Sequence, residues 1–253
     1  MLRRAHDMLG CVLHARDGEI GRVKDVYFDD KEWVVRYLVA DTNKWLPGRR
    51  VLLSPLSVKR ADEAARIVDI DLMRQQIKDS PSIDEHMPVS RQFETAYFKY
   101  YEWPMYWREG GPEGTSSPPM TGYASPGESP EPEKKVEPHL RALKEITGYH
   151  LHAVDGEIGH VEDMAFDTAD WAIRYLMIGT KNWWPARKVA ISVEWVGYIS
   201  FDRSEVSVDL GREMIRQAPE FDASIPISRE YEEKLFAYYQ RPPYWSHEKR
   251  LAA

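Results

Sequence analysis

The chain has 253 residues, of which 43% are hydrophobic and 12% aromatic, with nine Trp and a formal net charge of −7. An acidic surplus of this kind disfavours nonspecific attachment to a nucleic-acid backbone. The one cysteine, Cys11, has no partner in the chain, so internal disulfides are excluded and a reducing compartment is expected.

The opening run MLRRAHDMLG carries two arginines without the apolar stretch or cleavage site of a signal peptide, which points to a cytoplasmic protein. The next segment reads as a β-meander. Asp17-Gly18 predicts a tight turn, because glycine accepts positive φ and aspartate can bond its own backbone. After it, Ile20, Val23, Val26 and Phe28 break strict alternation beside Gly21, which predicts a bulge. From Trp33 to Asp41 both faces are largely apolar, the pattern of a central strand. The apolar run there lasts about eight residues and contains Arg36, well short of the roughly 20 that a spanning helix needs, so no transmembrane segment is expected. Shorter strands are predicted near 49–53, 56–60 and 66–70. Asp71 is the expected cap of a short helix ending before Pro81, and Ser90 caps a second one with Phe93, Tyr97 and Tyr100 at helical spacing.

Residues 108–138 are dominated by Pro, Gly, Ser and Glu and cannot bury enough apolar surface to offset the entropy of ordering, so they read as a linker. Beyond it the sentence repeats. Residues 148–245 align with 10–107 at one constant offset without a gap, with roughly 40 of about 98 positions identical. LHARDGEIGRVKDVYFD returns as LHAVDGEIGHVEDMAFD, WVVRYLVADTNKW as WAIRYLMIGTKNW, and YYEWPMYW as YYQRPPYW. The strands therefore recur near 187–191, 195–200 and 205–208, and the caps recur at Asp209 and Ser228. The domains follow as 1–107 and 139–253, each of a size to form its own core, and expected to pair within the chain about a pseudo-twofold axis.

The runs LGxxLHxxDGEIGxVxDxxFD and WxxRYLxxxTxxW, followed by a basic turn into VxLS, resemble the PRC-barrel family, named for the cytoplasmic domain of the photosynthetic reaction-centre H subunit and also found in a ribosome maturation factor. The resemblance covers about residues 6–75 and 144–213, most of each copy. It implies a mainly β fold: two tandem, small, strongly bent barrels, each followed by short helices. For function it implies a docking or assembly module, with no catalytic set to carry over.

The polar residues common to both copies are the candidates for chemistry. Asp25 with Arg36, and Asp163 with Arg174, lie on neighbouring predicted strands within apolar runs, so a partly buried structural ion pair is expected in each copy. Asp29 and Asp167 are expected to organise the turns before Trp33 and Trp171. The loops Trp45-Leu46-Pro47-Gly48-Arg49-Arg50 and Trp183-Trp184-Pro185-Ala186-Arg187-Lys188 combine aromatic and basic residues in the manner of an interface hot spot, though a lid over a barrel end explains them as well. Tyr106-Trp107 and Tyr244-Trp245 are further interaction candidates, able to clamp onto a barrel or onto the sister copy. His150, His152 and His160 are weak metal candidates, since the first copy lacks two of the three; no metal site and no cofactor is expected. No nucleophile elbow, phosphate loop or Cys-x-x-Cys pair is present, so the expectation is a non-enzymatic scaffold with a protein partner. The alternatives are a small-molecule or metal sensor with its site between the copies, and an assembly role like that of the ribosome factor or the reaction-centre subunit.

Overall fold

The computed structural model describes residues 1–42, 45–46, 49–84, 89–107, 140–180, 187–222 and 225–246, with the backbone alone at 49 and 83–84. The expected linker, 108–138, lies outside them.

The first copy runs β1 (Leu2–Arg4), α1 (Ala5–Met8), β2 (Val12–Ala15), β3 (Gly18–Asp29), β4 (Val34–Asp41), β5 (Arg49–Leu53), β6 (Val58–Asp62), β7 (Ile67–Ile70), α2 (Arg74–Asp79), β8 (Ile83–Asp84) and α3 (Arg91–Tyr100). The second repeats it as β9 (Leu140–Ala142), α4 (Leu143–Ile146), β10 (His150–Ala153), β11 (Gly156–Asp167), β12 (Ile173–Gly179), β13 (Lys188–Ser192), β14 (Val196–Ser200), β15 (Glu205–Val208), α5 (Arg212–Gln217) and α6 (Arg229–Tyr239). One sheet has the order β6-β7-β2-β3-β4-β5-β8 and the other β13-β12-β11-β10-β15-β14. Neither closes its ladder among the described residues, and only β2·β7 and β10·β15 run parallel within these paths.

The predicted bulge is where the bending begins. Register slips between Leu13 and His14, opposite Ile20, and again between Val23 and Asp25. Gly21 makes this possible: at φ +136° a Cβ would lie 2.0 Å from the Asp41 carbonyl oxygen, so the neighbouring backbone passes where a side chain would stand.

The two sheets are interlocked. The last residues of β3 use one edge for β4 and the other for β9, with Asp29 opposite Leu140; the last residues of β11 take β1 in the same register, with Asp167 opposite Leu2. Each half thus lends its opening strand and helical turn to the sheet of the other, which realises the expected pseudo-twofold. Apolar side chains of the lent turns, Ala5 and Met8 in one and Leu143 and Ile146 in the other, are buried in a core cluster that runs through both halves. The expectation of a separate core for each copy is corrected accordingly. A smaller cluster, formed by Tyr37, Val39, Leu52, Val89, Tyr97 and Phe98, lies under α3.

Two capping expectations resolve differently. Ser90 and Ser228 do cap α3 and α6, accepting the N–H of Phe93 and Tyr231 at 3.2 Å. Asp71 and Asp209 do not cap α2 and α5. Their first N–H groups are taken instead by Asp17 and Asp155 in the hairpin turns, at 2.8 Å, while Asp71 pairs with Arg16 and Asp209 with Arg241.

Candidate functional site

The turns before β4 and β12 meet at the centre of the molecule. Val35 donates its N–H to the Trp171 carbonyl at 2.9 Å, and Ile173 donates to the Trp33 carbonyl at 2.6 Å. Both tryptophans have positive φ, 55° and 62°, a conformation uncommon for a bulky residue. Each is held there by stacking on a strand neighbour, Trp33 on Phe28 and Trp171 on Phe166, with ring planes within 18° and 11° of parallel. Asp29 and Asp167 organise these turns as expected: Asp29 accepts from the N–H of Lys31 and Glu32, and Asp167 from that of Ala169.

Beside this junction lies an open groove of about 1180 Å³. The first copy supplies Arg36, Arg91, Leu56, Tyr106 and Trp107, and the second copy closes the far side with Asp170 and Trp171. Leu56 is 52% exposed, an apolar side chain presented to solvent at the rim.

The wall of the groove is built on a buried carboxylate. Glu94 of α3 is 2% exposed; its Oε1 accepts the hydroxyls of Tyr37 at 2.9 Å and Tyr106 at 2.8 Å, and its Oε2 pairs with Arg91 at 2.9 Å. The second copy repeats this with Glu232, 3% exposed, receiving Tyr175 and Tyr244 at 2.9 Å and Arg229 at 3.2 Å. Burial raises the Glu94 pKa against the opposing pull of Tyr106, Arg91 and Tyr37. Burial and then the Glu94 charge hold the Tyr37 and Tyr106 hydroxyls as neutral donors well above the normal phenol range. The terminal aromatic boxes therefore clamp onto their own copy. Arg91 covers the Trp107 ring at 4.4 Å and Arg229 covers Trp245 at 3.9 Å. These glutamates escaped the sequence reading, because a Glu on an amphipathic helix reads as its solvent face; the signal available was the recurrence of Ser-Arg-x-x-Glu in both copies.

The expected Asp25–Arg36 and Asp163–Arg174 pairs are not formed. The bulges place Asp25 opposite Val39 and Asp163 opposite Met177, three residues or roughly 10 Å along the partner strand from arginines that are themselves the extra residues of a second bulge. Asp25 instead accepts from the backbone N–H of Val26 and Lys144, and Asp163 from Met164 and His6. Burial raises both carboxyls, that of Asp163 to about 6. Arg36 stacks on Tyr106 with its guanidinium carbon 3.7 Å from the ring centre, while Arg174 covers Tyr244 at 4.2 Å and pairs with Asp170.

Of the loop candidates, Trp45 is half-buried against the core beneath the Arg74 guanidinium, 5.0 Å away. Arg50 lies 5.8 Å from the Tyr27 ring, and Arg187 bonds the carbonyls of Arg216 and Ala218 and so ties its loop to the end of α5. The Arg49 side chain, Trp183 and Trp184 lie outside the described residues. His150 and His160 stand opposite each other in the β10–β11 ladder, but each histidine of the trio faces its own acid: His150 faces Glu157, His152 faces Glu205 and His160 faces Glu162. Among the described residues no group of three His, Cys, Asp or Glu is placed to hold a metal ion. Nor is any described helix long and apolar enough to cross a membrane.

Two bent β-sheets that exchange their leading strands, with an aromatic and arginine-lined groove along the seam, define a tandem β-module. Residues 2–77 match the family model of the PRC-barrel domain, a class associated with protein interaction and assembly. The second copy repeats its sheet except for β8. No curated protein matches the chain.

Proposed function

We propose that the protein is a non-enzymatic docking module whose seam groove receives a protein partner. The observation that carries this reading is the composition of the groove: Arg36, Tyr106 and Trp107 beside exposed Leu56, the aromatic and arginine chemistry favoured where proteins bind one another. The wall is rigid because Glu94 fixes Tyr106 from behind, so little conformational entropy is lost when a partner settles on it. A groove made from both copies also gives the duplication a use, since neither half has both walls.

The test is site-specific photo-crosslinking in the source cell. A photoreactive residue at Leu56 should capture a discrete partner, and the same group at Val154, which is 69% exposed and does not line the groove, should not. Trp107→Ala should lower the capture at position 56 at least tenfold. Equal capture at 56 and 154, or capture indifferent to Trp107, would remove the groove from the reading.

A further inference from the structure

The lent strands differ in one respect that the pseudo-twofold makes measurable. Arg141 of β9 pairs with Asp30 of the first copy at 3.0 Å, with Glu145 3.9 Å away and the Phe201 ring under its guanidinium at 3.5 Å. Arg3 of β1 holds the same position on the other sheet, opposite Phe166 as Arg141 is opposite Phe28. It is buried, 7% exposed, yet no carboxylate among the described residues lies within ion-pair distance, and its Nε and Nη2 have no acceptor. The sequence explains the loss. The residue corresponding to Asp30 is Thr168, and the residue corresponding to Glu145 is Asp7, which is drawn away by Arg4 at 2.7 Å. Arg4 in turn has Ala142 as its counterpart, so the second copy lacks the competitor.

A buried guanidinium without a counter-ion is costly, and its fork of donors fits a carboxylate. Arg3 and Thr168 line a cavity of about 480 Å³, together with Phe166, Lys59, Glu63 and Trp171. Of the other acids there, Asp62 is engaged by Arg60, and Glu63 is exposed and forms no ion pair with Arg3. From this we infer that the Arg3–Thr168 cavity is a carboxylate-binding site, in which an external acid takes the place that Asp30 fills for Arg141. The Thr168 hydroxyl already donates to the Met1 carbonyl, at 3.1 Å, which leaves its lone pairs rather than a donor facing the ligand, so Arg3 is the anchor. The site goes beyond the docking groove and does not depend on it, although Trp171 and Thr168 line both.

The test is titration calorimetry of the full chain at low ionic strength with two probes, succinate for a free acid and polyglutamate for an acidic side chain of a protein, with polylysine as control. The net charge of −7 opposes any general attraction of either acid, so saturable binding reports a local site. Saturable binding of succinate assigns a free acid, and binding of polyglutamate alone assigns a protein side chain; either supports the site. Arg3→Gln should weaken the binding at least tenfold. Thr168→Asp restores the internal pairing seen at Arg141, so it should abolish binding while raising the melting temperature, a result that does not depend on the Arg3 variant folding. Absence of binding by the wild-type chain to both probes, or binding unchanged in Thr168→Asp, would overturn the proposal. Neither outcome bears on capture at Leu56.

Discussion

Asp163 caps a helical turn of the other copy: its Oδ1 accepts the backbone N–H of His6, 157 residues away, at 3.0 Å, while the same oxygen takes the N–H of Met164 at 2.8 Å. The first N–H groups of a helical turn have no partner within it, and an aspartate side-chain oxygen is among the favoured acceptors for them. Asp25 does the same for Lys144, at 3.4 Å. The aspartate of Gly-x-Val-x-Asp is thus the receptor for the arm lent by the other copy.

That carboxylate is 7% exposed, and burial raises its pKa from 3.8 to about 6. A carboxyl raised in the fold contributes its full stability below pH about 4 and loses it as pH climbs through about 6, because the native state must then ionise a buried group. Asp163→Asn keeps an acceptor and removes the charge. The variant should match the wild type at pH 4 and exceed it at pH 7, by at most about 3 kcal/mol. Urea denaturation across pH 4–7.5 reads the difference; a variant less stable than wild type at pH 7 would show that the charge itself holds the arm.

A single copy should not remain alone. Residues 1–107 by themselves carry a β3 edge without β9 and a β1 arm without β11. Two such chains can complete each other by exchanging arms, so the fragment should be a dimer in light scattering. A folded monomer would contradict the exchange.

Gly21→Ala should be among the most damaging small changes in the chain. The added methyl would meet the Asp41 carbonyl at 2.0 Å in a backbone already at φ +136°, and Gly159→Ala would meet the Gly179 carbonyl at 2.4 Å. A loss of about 3 kcal/mol or more is expected for each, read from the denaturation midpoint. The exposed Gly197→Ala, whose new atom would meet nothing nearer than 3.8 Å, serves as the neutral control.

Tyr106→Phe separates the wall of the groove from its support. The ring beneath Arg36 remains, but Glu94 loses one of its two hydroxyl donors, at a cost of about 1–2 kcal/mol in stability. Crosslinking from position 56 should persist in this variant and fall in Trp107→Ala.

The local features were readable because local chemistry determines them. Asp17-Gly18 marks the hairpin, the glycine beside Ile20 marks the bulge, and Ser90 and Ser228 mark helix starts, since each satisfies groups within a few residues. The exchange was not readable: Leu2–Arg4 could pair with either β3 or β11 on pattern alone, and only the joint geometry of both sheets chooses β11. The ion pair expected between Asp25 and Arg36 failed for a related reason. One bulge in β3 and another in β4 shift the ladder, and a residue pattern does not say how far. The caps at Asp71 and Asp209 lost to Asp17 and Asp155, acids distant in sequence that the hairpins deliver to the helix ends. Of the candidate site, Arg36, Tyr106 and Trp107 were named in advance, but Glu94, Leu56 and Arg3 were not, because burial of a charge or exposure of a leucine is decided by tertiary neighbours.

Reciprocal arms joined in one polypeptide release the molecule from a constraint that binds every true homodimer, where a substitution in one subunit is necessarily made in both. Here the residue facing Arg141 could stay acidic while its twin facing Arg3 became Thr168. Arg141 is thus matched by an acid of the chain and Arg3 is not, a difference open only to covalently joined halves.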